Sequence, residues 1–276
     1  LIFHLMALNK SLVVFLSLLL VSTISLAQVK ISSWNIRHLG NSKSKSEIEF
    51  MAETLRDFDA VAIQEVVAGN GGAQAVTKLA DELNRKGSRW DHVVSKPTQG
   101  GTYSSERYAF LWKTNRLKVD RKAWLDLDCI EEFEREPYFI RFKFENQIFT
   151  LVNIHAVPKS KQPEQELKYL KLYPELYPDE NFIVLGDFNL PQSHSVFNPL
   201  KSKGFISALV NQKTSLKMKC KTGICLASEY DNMFIDSRSF RILKTGVDLF
   251  YEAFTDLKSA RMISDHIPIW IEFDFN

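Results

Sequence analysis

Cysteine is scarce in this chain: 276 residues contain three, Cys129, Cys220 and Cys225. No His or Cys partners stand at ligand spacing around them, which argues against a thiolate zinc site. In an oxidising compartment Cys220 and Cys225, bracketing Lys221-Thr222-Gly223-Ile224, suit a local disulfide, and Cys129 is left over. Strong charge of one sign is also absent. The formal net charge is +2, so any positive surface must be local, and much of the work on an anionic partner falls to metal ions. There is no low-complexity segment, no short-period repeat and no clear linker. What remains, 45% hydrophobic and 25% charged residues, is an ordinary globular composition with enough length for one substantial core.

The N-terminus stands apart. Lys10 precedes the apolar run Leu12 to Leu20, and Val21-Ser22-Thr23-Ile24-Ser25-Leu26-Ala27 follows. A positive region, an apolar region and a small-x-small ending read as a secretory signal over residues 1–27, cleaved after Ala27. The run is short for a membrane span. Gln28 rather than Cys stands directly after the cleavage point, which argues against a lipoprotein anchor. The expectation is a single exported domain, residues 28–276, periplasmic or extracellular, monomeric and without stable membrane association.

Along the mature chain, short apolar strands alternate with helical patterns. Val29 to Asn35 reads as a strand. Ser44 and Glu47 form a capping-box pattern before the apolar face of Ile48, Met51, Ala52, Leu55 and Phe58. Asp59 to Glu65 is a buried strand, Gly69 to Gly72 a flexible loop, and the next helix turns Val76, Leu79, Ala80 and Leu83 inward. Trp90 to Val94 and Arg107 to Trp112 are strands, with Glu106 at the start of the second. Residues 120–137 read as charged and irregular. Tyr138 to Ile154 reads as a hairpin turning at Glu145-Asn146-Gln147 and ending in His155. Residues 164–176 and 193–203 read as helices, 211–228 as a polar loop, and Tyr230 to Ile235 and Ile267 to Phe273 as strands. The sum is an α/β domain with two packed sheets flanked by helices.

One stretch concentrates the chemistry. Ile183-Val184-Leu185-Gly186 is a buried strand that delivers Asp187 and Asn189, two residues apart, at its C-terminal end. That makes a small oxygen-rich site, suited to a hard cation and a phosphate. Other strand ends carry Asn35, Glu65, Glu106, His155, Asp231, Asp265 and His266. Singly, each has an ordinary structural reading: Asn35 and Asn189 as turn formers, Glu65 as a solvated acid, Glu106 with Arg107 as a surface ion pair, His155 as a satisfied core histidine. Together they are rich in carboxylate and amide oxygens, with two histidines and no thiolate. This composition suits Mg²⁺-dependent phosphoester hydrolysis. Carboxylates hold a cation that offsets charge developing on the phosphate. One imidazole takes a proton from water and a second returns one to the leaving oxygen.

The chain resembles the endonuclease/exonuclease/phosphatase superfamily, in its deoxyribonuclease I-like branch. The resemblance runs from about residue 30 to 273. It rests on Ser33-Trp34-Asn35-Ile36-Arg37, Ile63-Gln64-Glu65-Val66, Ser105-Glu106-Arg107-Tyr108, Arg135-Glu136-Pro137, Asn153-Ile154-His155, Gly186-Asp187-Phe188-Asn189, Tyr230-Asp231-Asn232 and Ser264-Asp265-His266. It implies a four-layer α/β/β/α sandwich of the DNase I-like type. It implies His155 and His266 as the acid/base pair, oriented by Glu106 and Asp231. Glu65 would be the main metal ligand, helped by Asp265, Asn35 and Asp187. Asn189, Arg37, Arg135 and Tyr108 would contact phosphate or substrate. The implied activity is Mg²⁺-dependent, non-specific DNA endonuclease chemistry, with Mn²⁺ as a substitute and Ca²⁺ in a structural role.

Two departures stand out. The branch grips the DNA minor groove with an Arg two residues after the metal Glu and a Tyr two before the orienting Glu; here these are Val67 and Ser104, with Tyr103 one place off. Ser193 and His194 stand where the branch has a disulfide cysteine. Two rival readings follow: a phosphodiesterase acting on a phospholipid head group or a nucleotide, and a non-catalytic binding module.

Overall fold

The computed structural model describes residues 28–99 and 105–276. Residues 1–27, expected to be a signal segment, and Tyr103 and Ser104 lie outside the described residues. In chain order the elements are β1 (Val29–Leu39), α1 (Lys45–Leu55), β2 (Ala60–Val67), α2 (Asn70–Asn84), β3 (Trp90–Val94), β4 (Glu106–Lys113), β5 (Lys118–Leu125), β6 (Tyr138–Phe144), β7 (Gln147–His155), α3 (Glu164–Leu167), α4 (Tyr173–Leu176), β8 (Phe182–Asp187), α5 (Asn198–Ser202), β9 (Phe205–Ser207), β10 (Leu216–Lys221), β11 (Ile224–Leu226), β12 (Asp231–Asp236), β13 (Phe240–Val247), α6 (Leu257–Ile263) and β14 (Ile269–Phe275).

Two six-stranded sheets form, in the orders β13-β14-β1-β2-β4-β3 and β5-β6-β7-β8-β12-β9, while β10 and β11 make a separate hairpin. Each large sheet has one parallel pair at its centre, β1 with β2 and β7 with β8. The strands beside those pairs run antiparallel to them. The C-terminal ends of the central strands and the N-terminal ends of their neighbours therefore share one edge of the sandwich.

Side-chain alternation builds the layers. Ile31, Ala60, Ala62 and Phe110 of the first sheet meet Ile140, Leu151, Ile183 and Leu185 of the second. The opposite face of the first sheet, with Trp34, Val61 and Ile63, packs on Met51, Leu55, Val76 and Leu79 of α1 and α2. The outer face of the second sheet, with Phe139, Val152 and Val184, packs on Leu167, Leu170, Tyr173 and Leu200. The result is the expected α/β/β/α sandwich. Central strands buried on both faces explain why their sequences run apolar without alternation. At the edge remote from the strand-end polar groups, Phe144, Phe149, Phe240, Phe273 and Phe275 close the gap between the sheets with stacked, edge-on and tilted ring contacts.

The capping box forms as expected, with Ser44 and Glu47 each accepting from the other's backbone. Several expectations need correction. Gly69 to Gly72 is not a loop: Gly69 caps α2, and Gly71 and Gly72 lie in its first turn. A Cβ on Gly72 would fall 2.0 Å from the Val67 carbonyl oxygen, so glycine lets the helix start directly against β2. Residues 118–125 form a strand, because the charged side chains of β5 lie on an outer edge that needs no apolar face. The stretch 164–176 is broken into α3, a 3₁₀ turn and α4, where Pro174 starts a new helix rather than continuing one. In the same way Pro199 starts α5 after a 3₁₀ turn. The polar stretch 211–228 contains β10 and β11, joined by the disulfide Cys220–Cys225. Cys129 is buried and free.

Gly186 is the tightest point of the second sheet. Its φ is +137°, and a Cβ there would lie 1.9 Å from the Ile154 carbonyl oxygen. Only glycine lets the ends of β7 and β8, which carry His155 and Asp187, lie this close. Gly186→Ala is expected to cost about 2–4 kcal/mol from backbone strain and overpacking. Urea denaturation checks this, and an unchanged midpoint would contradict it.

Candidate active site

The shared edge gathers the polar strand ends. His155 closes β7, Asp187 closes β8, Asp231 opens β12 and Glu106 opens β4. Asn35 and Glu65 sit late in β1 and β2, and His266 precedes β14.

The two imidazoles face a common carboxylate. Nε2 of His155 and Nε2 of His266 each lie 3.6 Å from Asp187 Oδ2. Behind each ring stands its own acid. His155 Nδ1 is 2.8 and 2.9 Å from the two Glu106 oxygens, and His266 Nδ1 is 2.7 Å from Asp231 Oδ2. An ionised carboxylate only accepts, so each Nδ1 carries a proton. Nε2 is then the atom left to exchange protons in the cleft. The alternative reading of Glu106 and Arg107 as a surface ion pair finds no support among the described residues: Arg107 donates to the carbonyls of Ala68 and Ser95.

Asn35 joins the sheets. Its amide nitrogen donates to Glu65 Oε1 at 3.0 Å and to Asp187 Oδ2 at 3.1 Å. Among the described residues Asn35 Oδ1 is buried with no hydrogen-bond partner, as is Asp231 Oδ1. Glu65 reaches this position through left-handed backbone, φ 59°, at a register shift between β2 and β4. The Asn189 amide donates to Asp187 Oδ1 at 2.9 Å, again with left-handed backbone, φ 50°. The Asn189 side chain donates to the Ala156 carbonyl.

A buried polar layer supports these groups. Gln64 Nε2 donates to Ser33 Oγ and, at 2.6 Å, to Asn153 Oδ1, while Asn153 Nδ2 donates to the Ile63 carbonyl. Ser264 Oγ donates to the Asn35 carbonyl and accepts from the His266 amide. Trp34 Nε1 donates to the His266 carbonyl. Thr214 Oγ donates to Asp231 Oδ2 at 2.6 Å and accepts from the Asp231 amide. The sequence reading assigned no role to Gln64, Asn153, Ser264 or Thr214. Gln64 and Asn153 had a signal, each being a polar residue inside an apolar strand. Thr214 had none.

Other expected contacts are placed differently. Tyr108 is wholly buried and stacks on Tyr138, and its hydroxyl accepts from the His155 amide at 3.1 Å. A direct ligand contact is closed to it, so the structure corrects that expectation to a brace under His155. Arg135 is also buried and donates to the carbonyls of His155 and Ala156. Its remaining Nη1 lies 3.9 Å from Glu106 Oε2. Asp265 is held by Arg261 at 3.1 Å and by Arg37 at 3.8 Å, at the rim. Arg37 stays exposed there.

The electrostatics follow from this crowding. Burial opposes charge on His266, yet Asp231 and Asp187 outweigh it and lift the imidazole to about 10. Burial likewise opposes charge on His155, and Glu106 with Asp187 overcomes it, so His155 also titrates above its ordinary value. Burial would raise Asp187, but the flanking histidines and its hydrogen bonds from Asn189 and Asn35 bring it below the ordinary range. Burial and the charge of Asp187 push Asp231 upward despite His266. Beside His155 opens a cleft of about 380 Å³, lined by His38, Glu65, Val67, Ala68 and Ser105 among others. Asp187, Asp231 and His266 place ligand atoms within 4.8 Å of one another. Carboxylates, the unpartnered Asn35 oxygen and the absence of thiolate fit a hard divalent cation.

A sequence profile of the Endonuclease/Exonuclease/phosphatase family matches residues 32–266. A deoxyribonuclease of Thioalkalivibrio sp. (strain K90mix) is 27% identical over 290 residues, covering 95% of this chain and 75% of that protein. Deoxyribonuclease-1 of Mus musculus is 27% identical over 271 residues, covering 91% of this chain and 94% of the relative. Among solved structures, a mannosyl-6-phosphatase of Bacteroides thetaiotaomicron superimposes with a TM-score of 0.64 at 18% identity, over 90% of this chain and 100% of that one. At that identity the likeness concerns the fold alone.

Tyr108→Phe removes the acceptor of the buried His155 amide. The expected cost is about 1–3 kcal/mol, visible as a lower urea midpoint. Unchanged stability with altered ligand affinity would instead mean that Tyr108 touches the ligand.

Proposed function

The chain belongs to the endonuclease/exonuclease/phosphatase family, and from that premise we propose an exported, Mg²⁺-dependent, non-specific DNA endonuclease. The observation that carries the reading is the pair of histidines, each backed by its own carboxylate and each 3.6 Å from Asp187. Two protonable nitrogens, each near the same carboxylate oxygen, suit a displacement at phosphorus. One Nε2 takes a proton from the attacking water, and the other gives a proton to the leaving 3′ oxygen, leaving a 5′-phosphate. Glu106 and Asp231 fix the tautomers and offset the positive charge that each ring carries while it is protonated.

The family depends on divalent metal. Glu65, with Asn35 Oδ1 and Asp187, would hold the ion, which when bound neutralises charge on the phosphate. Asp265 contributes at the rim together with Arg37. Asn189 orients Asp187 through its backbone amide and would contact a phosphate oxygen. Arg135 acts from beneath, by holding the His155 carbonyl. Export accords with the Cys220–Cys225 disulfide and with the signal pattern. Among the described residues no helix is long and apolar enough to cross a membrane. A second reading, action on another phosphodiester such as a nucleotide or lipid head group, draws on Val67. This side chain is 38% exposed and lines the cleft where a deoxyribonuclease would present an arginine.

Nicking of supercoiled plasmid tests the proposal. Mg²⁺ should support it and EDTA should abolish it. His155→Ala and His266→Ala should each lower the rate by roughly 10²–10⁴-fold. Folded, metal-loaded protein that leaves plasmid intact but turns over a nucleotide or lipid diester would move the reading to the second substrate class.

A further inference from the structure

The hairpin of β10 and β11 is outside both large sheets, yet it is rooted in the active site. Just before it, Thr214 holds Asp231, and Ser215 pairs with His266. The Leu216 amide donates to the Asp265 carbonyl at 2.7 Å, and Arg261 donates to the Leu216 carbonyl at 2.8 Å. From that root β10 runs outward for five residues, a reach of up to about 17 Å.

The arm is basic throughout. From Asn211 to Ser228 there is no acidic residue, and Lys213, Lys217, Lys219 and Lys221 fall within the span. Lys219 and Lys221 are exposed and Lys217 is half-buried. Among the described residues no carboxylate comes within ion-pair distance of these lysines. The ladder has two bridging pairs, Leu216 with Leu226 and Lys221 with Ile224, and its register is irregular between them. A ribbon of this kind is marginal in water, and the Cys220–Cys225 disulfide closes it.

We propose that this disulfide-closed hairpin is a nucleic-acid arm, in which Lys217, Lys219 and Lys221 contact backbone phosphates several nucleotides from the bond being cut. The proposal rests on the nuclease reading and supplies what the low net charge leaves open, namely where the local positive surface lies. A polynucleotide fits because it carries phosphates on either side of the scissile one, whereas a lipid offers a single head group. The arm exposes two large apolar side chains among its described residues, Met218 and Ile224, too few for a continuous face that would insert into lipid. Lysine contacts to phosphate add affinity without sequence preference.

The test is binding of a 20-base-pair duplex in the His155→Ala background, by fluorescence anisotropy over a series of salt concentrations. The triple change K217Q/K219Q/K221Q should weaken binding roughly tenfold or more. It should also reduce the slope of log affinity against log salt by up to about 2.7, at about 0.9 per phosphate contact. A control with the same charge change on the far strands, K118Q/K122Q/K143Q, should keep the parent slope. Equal slopes in the two triple variants would overturn the arm while leaving the nuclease reading intact. Loss of binding to phosphatidylserine vesicles in the hairpin variant, with duplex binding unaltered, would overturn it in favour of a membrane contact. Failure of the unmodified protein to bind or nick any nucleic acid would instead defeat the nuclease reading on which the arm rests.

Discussion

Asp187 is the group around which the site is arranged. It is 1% exposed, and a carboxylate so deeply placed survives only with partners. It has them on every side: the Asn189 amide, the Asn35 side chain and both imidazoles. Those partners come from both sheets. A single buried charge therefore fixes the spacing of two histidines, one closing β7 and the other preceding β14, and it couples the packing of the sandwich to the protonation of the centre.

The topology makes this meeting possible. A central parallel pair in each sheet, with antiparallel neighbours, sends four strand ends and their neighbours' beginnings to one edge. Packing the two sheets face to face brings both edges together. Beneath the charged groups, Gln64 and Asn153 bond across the gap where the core would otherwise be wholly apolar. At the opposite edge a cluster of phenylalanines closes the sandwich. Apolar burial holds one end, and a hydrogen-bonded polar network, with the oxygens of Asn35, Gln64 and Asp231 left unpartnered among the described residues, specifies the other.

Much of this was legible in the sequence because strand ends announce themselves. An apolar run that stops in Asp, Asn, Glu or His shows a buried strand and a polar edge at once, and Asn35, Glu65, His155 and Asp187 were found that way. The capping box at Ser44 and the hairpin at Glu145 were equally local. The misses have physical causes. Residues 118–125 form an outer-edge strand without an apolar stripe, so charge masked it. The glycines at 71 and 72 read as flexibility, but Gly72 lets α2 approach Val67 and a Cβ on Gly71 would meet the Asn41 side chain, both tertiary facts. Tyr108 sat in a motif that suggested ligand contact, and only packing shows its hydroxyl spent on the His155 amide. Thr214 acts through a hydrogen bond to a residue 17 positions away, and its neighbours gave no hint.

The central claim is that one histidine takes the proton of water and the other protonates the leaving oxygen. A DNA substrate with sulfur in place of the bridging 3′ oxygen tests it directly, since a thiolate leaves without protonation. The account predicts that this substrate restores cleavage to only one of His155→Ala and His266→Ala, identifying the acid, while the other variant stays slow. Restoration of both variants, or of neither, would contradict the division of labour.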